Sequence, residues 1–131
     1  ELGLPQERFT MGVTAVELVR GIQCLAHVKL ARRVREADIW KLYRAAWAGE
    51  PFVSFTPAKP AHFRIPDPRF VIGSNRVLTG FMLAEDGERM IAASAIDNLM
   101  KGAAGSAVQS ANIMFGLPET EGLEMMPVYP A

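Results

Sequence analysis

The residues best suited to chemistry gather between Ala95 and Gly116, where Asp97, Lys101, Gln109 and Asn112 punctuate a run of very small side chains. Asp97 suits a helix N-cap, its carboxylate taking orphan amide hydrogens of the first turn, and Gly116 with Pro118 suits the stop. The spacing therefore predicts a helix from about Asn98 to Phe115. On such a helix Lys101 and Gln109 lie two turns apart and Asn112 lies one turn beyond Gln109, a row that could meet a polar ligand. Gly102 and Gly105 each cost roughly 1 kcal/mol relative to alanine in a helix interior. Offsetting that cost requires close approach, either of another backbone in tight packing or of a flat ligand. Leu99, Ala103, Ala107, Val108, Ala111, Met114 and Phe115 recur at three- and four-residue spacing, which predicts a buried stripe against a sheet or a neighbouring helix.

Arg20 begins a strand pattern directly before Gly21. Its guanidinium could project from the sheet edge and hold phosphate or carboxylate through two parallel hydrogen bonds, or simply be solvated. Cys24 is the only cysteine. It falls on the apolar face of a strand with no helix N-terminus or base beside it, so a buried structural thiol is expected rather than a nucleophile. His27 in mid-strand and His62 in a proline-rich connection read as surface or hydrogen-bonded histidines, and together they lack the ligand spacing of a metal site, so no metal is expected. Gly73-Ser74-Asn75 fits a tight turn or the wall of a pocket. Arg32, Arg33 and Arg35 form a basic turn that is either solvated or meets an acidic partner.

Positioning these residues needs one core, which 131 residues, half of them apolar, can bury. Acidic and basic side chains balance at 14 each, so no basic field argues for nucleic acid. No apolar run is long enough to span a bilayer, and the chain opens without an initiator methionine, which places the native start upstream. The lone cysteine fits a reducing, cytoplasmic compartment. Alternation predicts strands over Arg8 to Val16 and Arg20 to Leu30. Helical spacing follows over Asp38 to Ala48, with Ile39, Leu42, Tyr43, Ala46 and Trp47 inward and Gly49 ending it. Phe52 to Phe55, Arg69 to Ile72, Val77 to Leu83 and Met90 to Ser94 read as further strands. Glu85 to Glu88 makes a hairpin turn, and Pro57, Pro60, Pro66 and Pro68 impose an extended connection. Strands paired through a hairpin with two helices laid on one face give an α+β layer.

The run Asp-Asn-Leu-Met-Lys-Gly-Ala-Ala-Gly-Ser-Ala-Val-Gln from Asp97, and Asn-Ile-Met-Phe-Gly-Leu-Pro-Glu-Thr-Glu-Gly-Leu from Asn112, closely resemble the C-terminal helix of N-acetyl-gamma-glutamyl-phosphate reductases. The likeness to aspartate-semialdehyde dehydrogenases is looser. The resemblance to the reductases extends back through Gly73-Ser74-Asn75, Glu50-Pro51-Phe52-Val53 and Val19-Arg20-Gly21-Ile22, in their order. The resemblance implies an α+β fold with a mixed, mostly antiparallel sheet and helices on one face, like the C-terminal domain of glyceraldehyde-phosphate dehydrogenases. Residues 1–131 would then be a single substrate-binding and dimerisation domain, with the NADP-binding Rossmann domain absent from this chain. It implies that Arg20 faces an acyl-phosphate substrate, and that Asn112 and Gln109 lie beside an NADP cofactor held mostly by the missing domain.

Chemistry in that family starts with a cysteine thiolate displacing phosphate from an acyl phosphate. Hydride from NADPH then reduces the thioester to a semialdehyde, with a histidine as acid and base. The Asn-Cys-Tyr-Pro-like and His-x-His motifs that carry those groups do not occur here, so no catalytic residue is assigned and the chain alone is expected to be inactive. Leu78-Thr79-Gly80 stands where relatives carry Asp-Ile-Gly. Gly12 to Val19 departs from the Pro-His-Leu-x-Pro-like segment of arginine-pathway members toward the lysine-pathway relatives. Those act on aminoadipyl phosphate carried by a small acidic protein, which Arg32, Arg33 and Arg35 could meet. The other reading is a non-catalytic dimerisation or binding module; both imply a homo-oligomer, dimer or tetramer.

Overall fold

The structure, a computed structural model, describes residues 10–56 and 65–128. Runs dominated by aliphatic, aromatic and small residues build four strands, β1 (Ile22–Lys29), β2 (Val53–Phe55), β3 (Val77–Leu83) and β4 (Arg89–Ile96), in the sheet order β1-β4-β3-β2. The β1/β4 and β4/β3 pairs are antiparallel and β2/β3 is parallel, which is the mixed, mostly antiparallel sheet expected. Gly87, at φ +68°, closes the β3–β4 hairpin. Its amide donates to the Ala84 carbonyl at 2.9 Å, and its own carbonyl accepts from Val34 at 2.9 Å. The connection into the first helix is thereby fastened to the same turn.

That helix, α1 (Glu36–Trp47), starts with Asp38 reaching back to the Arg35 amide at 3.3 Å. Its inner line is rotated from the expected one. Ile39 is buried, Trp40 stacks 4.8 Å from Phe81 and Tyr43 lies 5.2 Å from it, whereas Leu42 stays exposed. The aromatic faces of Phe55 and Phe81 draw the two large rings inward, and Leu42 falls outside their reach.

Three further expectations are corrected. Over residues 10–21 there is no strand; the partial alternation has no neighbouring edge to pair with, and Val13, Val16 and Val19 are exposed. Arg69 to Ile72 is not a strand but belongs to a 3-10 turn, Pro68–Val71. Pro68 presets the turn at its first position, and the Asp67 carboxylate accepts from the Arg69 amide at 2.9 Å. Cys24 is exposed rather than buried. It lies on the edge strand β1, beyond the reach of α1, which packs over β2 and β3.

The predicted long helix exists in two parts, a π-helical turn Met100–Ala104 running into α2 (Gly105–Met114). Its buried positions are Gly105 and Asn112, while Leu99, Val108, Met114 and Phe115 of the expected apolar stripe are exposed. The first turn packs on β4 and the rest runs past the sheet, so the stripe finds no layer to cover.

Phe81, 4 % exposed, is the ring on which Trp40 and Tyr43 converge. Phe81→Ala is expected to cost about 3 kcal/mol in denaturant unfolding; a loss below about 1 kcal/mol would mean that this cluster does not hold α1 to the sheet.

Candidate functional site

Asp97 ends β4 and opens the helix, and its side chain is completely buried. Oδ1 accepts from the amides of Leu99 at 2.8 Å and Met100 at 3.1 Å, the capping role expected of it. Oδ2 accepts from the Gly73 amide at 2.7 Å and pairs with Arg20 Nε at 3.1 Å. Burial pushes this carboxyl up. The amides of Gly73, Met100 and Leu99 and the charge of Arg20 more than reverse that, so it lies below the ordinary carboxylate range.

Arg20 is 28 % exposed in its side chain, with its Nε edge committed to Asp97. The adjoining Gly21 amide donates to Asn98 Oδ1 at 2.7 Å. The guanidinium lies over Gly73, where a Cβ would come within 3.4 Å of Nη2 and 3.1 Å of a Val128 methyl. Gly73 itself adopts φ +80°, so both space and conformation call for glycine. The Val128 amide donates to the Ile72 carbonyl at 3.0 Å, laying the C-terminal segment along this loop.

Two residues on, Asn75 is wholly buried and donates to Gln109 Oε1 at 3.1 Å. Lys101 Nζ donates to the same oxygen at 2.5 Å, and Gln109 Nε2 donates to Glu119 Oε1 at 2.6 Å. Lys101 also stands 5.3 Å from the centre of the Phe52 ring. Burial lowers its ammonium, against the opposing charges of Glu119 and Glu50. Among the described residues Asn75 Oδ1 is the one buried side-chain oxygen or nitrogen without a hydrogen-bond partner. It faces Gly105, where a Cβ would overlap it and would stand 2.9 Å from the Met100 carbonyl. The widened π turn leaves room there: the amides of Gly102, Ala104 and Gly105 reach back five residues to Asp97, Leu99 and Met100. The Ser106 hydroxyl donates to the Lys101 carbonyl. Gly105 is thus explained by an approaching side chain, whereas a Cβ at Gly102 would make ordinary contact with Ile96 at 3.5 Å, and its contacts do not call for glycine.

Of the residues marked in the sequence as a row that could meet a polar ligand, Lys101 and Gln109 bond directly to each other. Asn112 does not join them directly: it is 5 % exposed, and its amide donates to the carbonyls of Glu119 at 3.3 Å and Glu121 at 2.9 Å. It fastens the loop that brings Glu119 to Gln109. Arg20 joins this row through Asp97 and the Gly73-Ser74-Asn75 turn. Asn75 belongs to the Gly73-Ser74-Asn75 turn marked in the sequence, and Glu119 is a participant that spacing alone did not single out. Cys24 and His27 lie along β1, away from the cluster, and His62 is outside the described residues. Among the described residues no group of three His, Cys, Asp or Glu is placed to hold a metal ion, and no helix is long and apolar enough to cross a membrane.

The segments tied together here, Arg20-Gly21, Gly73-Ser74-Asn75 and the turn opened by Asp97, are the motifs that carried the resemblance. Residues 3–98 match the family described as semialdehyde dehydrogenase, dimerisation domain. The chain belongs to this family. The chain is 50 % identical over 123 residues to a LysW-L-2-aminoadipate/LysW-L-glutamate phosphate reductase of Cenarchaeum symbiosum, covering 94 % of this chain and 35 % of that protein. A protein of the same description from Nitrosopumilus maritimus is 46 % identical over 121 residues, 92 % of this chain and 35 % of its own length. A LysW-L-2-aminoadipate 6-phosphate reductase of Thermomicrobium roseum is 44 % identical over 123 residues, with 92 % and 35 % covered. The chain spans about a third of the length of these curated relatives.

Gly105→Ala in this domain removes a helix-weakening glycine, yet it is expected to destabilise by about 2 kcal/mol because the methyl overpacks Asn75. Denaturant unfolding of Gly105→Ala alone and with Asn75→Ser checks this; stabilisation by the single change would show that the contact is not tight.

Proposed function

We propose that this domain is the substrate-binding and dimerisation part of an NADPH-dependent reductase that converts a carrier-bound aminoadipyl or glutamyl phosphate to the semialdehyde, releasing phosphate. The observation that carries the reading is the identity of 50 % and 46 % with relatives named for LysW-linked substrates. Their names favour a lysine-type, carrier-borne acyl phosphate over N-acetyl-glutamyl phosphate. Arg20 gives the reading a chemical anchor. With Nε on Asp97, its terminal nitrogens remain to grip a phosphate or carboxylate.

The residues present fit a nicotinamide cofactor. Gly102, Ala103 and Ala104 are exposed and side-chain-poor, admitting a flat ring, beside the half-buried Lys101 and Gln109. When bound, NADPH supplies the hydride. In this reading Gln109 presents the cofactor-side amide, and Asn112 and Glu119 hold it in place. The thiol nucleophile and the histidine belong to the remainder of the longer protein. Met82 and Leu25, exposed on the sheet face opposite α1, suit contact with a second copy, consistent with a homo-oligomer. Exposed Arg32 and Arg33 beside β1 suit a small acidic carrier. A cytoplasmic setting is part of the same reading.

The test is NADPH oxidation by the full-length protein offered each acyl phosphate. Turnover is expected with the carrier-bound substrate, and Arg20→Ala should raise its KM about tenfold or more while sparing that for NADPH. Turnover with N-acetyl-glutamyl phosphate alone would transfer the enzyme to the arginine-type reaction.

A further inference from the structure

The cluster contains a buried acid for which the proposed reaction assigns no role. We infer that Asp97 is a positioning residue for the substrate anion: its inner oxygen fixes the direction in which Arg20 presents its guanidinium fork. This rests on the reading of Arg20 as the substrate-binding cation.

The two carboxylate oxygens divide the work. Oδ1 caps the helix through Leu99 and Met100, and that task alone would be served by serine or asparagine. Oδ2 does what a cap does not require. It takes the Gly73 amide at 2.7 Å and Arg20 Nε at 3.1 Å, and it has no solvent contact. Held by Nε, a planar guanidinium keeps one rotational setting: Nη2, on the same edge as Nε, lies over Gly73, and the Nη1–Nη2 end of the group faces away from Asp97. The surroundings close the alternatives. Gly73 offers no side chain to the face that Arg20 covers, and the Gly21 amide on Asn98 Oδ1 pins the backbone beside it. Both anchors, Asp97 and Asn98, sit at the start of the helix that carries Lys101 and Gln109. The substrate-side cation and the row read as cofactor-side are therefore registered against each other by one helix entry. Fixing the fork before substrate arrives reduces the ordering cost of binding, and a carboxylate alongside keeps the cation from turning inward.

The test is a double-mutant cycle in the full-length reductase with Arg20→Ala, Asp97→Asn and the pair, reading KM for acyl phosphate and for NADPH together with kcat. Asp97→Asn keeps one acceptor oxygen. It is expected to raise the acyl-phosphate KM about tenfold, the equivalent of one charge-assisted hydrogen bond, and to leave the NADPH KM within about twofold. In the Arg20→Ala background it should add nothing. Equal rises in both KM values, or an effect that multiplies with that of Arg20→Ala, would overturn the positioning role while leaving the substrate reading intact. An unchanged acyl-phosphate KM in Arg20→Ala would overturn both. Arg20→Lys serves should Asp97→Asn fail to fold, because it keeps a cation for Asp97. An ammonium held there has no outward fork, so its KM should approach that of Arg20→Ala, and a wild-type KM would overturn the inference.

Discussion

A carboxylate removed from water must be met by donors on both oxygens or be driven to its neutral form. Asp97 draws its donors from three separate parts of the chain: the helix entry, the loop at Gly73 and the segment entering β1. Satisfying that one group therefore fixes where the edge strand begins, where the helix starts and how the loop between the 3-10 turn and β3 is held. The aromatic part of the core lies elsewhere, under α1, whereas Val71 and Ala95, buried just before Gly73 and Asp97, back the junction itself.

Around this junction, backbone follows side chain. Asn75 projects at Gly105, and the helix accommodates it by widening into a π turn and by carrying no side chain there. The result is a row of amides and one ammonium, Asn75, Gln109 and Lys101, closed by Glu119, with Asn112 clasping the loop from outside. The small-residue surface of the same turn remains open beside this row. The curated relatives are about three times as long as this chain.

What could be read from the residues in order was what depends on neighbours in the chain. The Asp97 cap, the hairpin at Gly87, the four strands β1 to β4 and the end of α1 near Gly49 follow from local rules, and these appear. What could not be read depends on which layer covers a face. Cys24 and the stripe at Val108, Met114 and Phe115 carry apolar patterns, yet among the described residues nothing packs over them. Trp40 and Leu42 exchange places because the receiving surface is aromatic. Arg69 to Val71 has a strand-like pattern, but Pro68 and the Asp67 carboxylate turn it into a 3-10 turn. Asn112 was legible as a polar residue in an important row, while its partners, in the loop that follows the helix, were not.

Four donors hold Asp97 ionised, and carbon-13 NMR of that carboxyl through an acid titration reads this directly. A value depressed in the folded protein means that Asp97 contributes stability at pH above the unfolded carboxyl range, about 3.9, and that this contribution fades as the pH falls through the folded value. The expected midpoint lies below that range, with the Gly73, Leu99 and Met100 amide signals moving together at the same pH. A midpoint at or above the ordinary value, or three amides that respond independently of it, would contradict the claim that one buried charge organises this site.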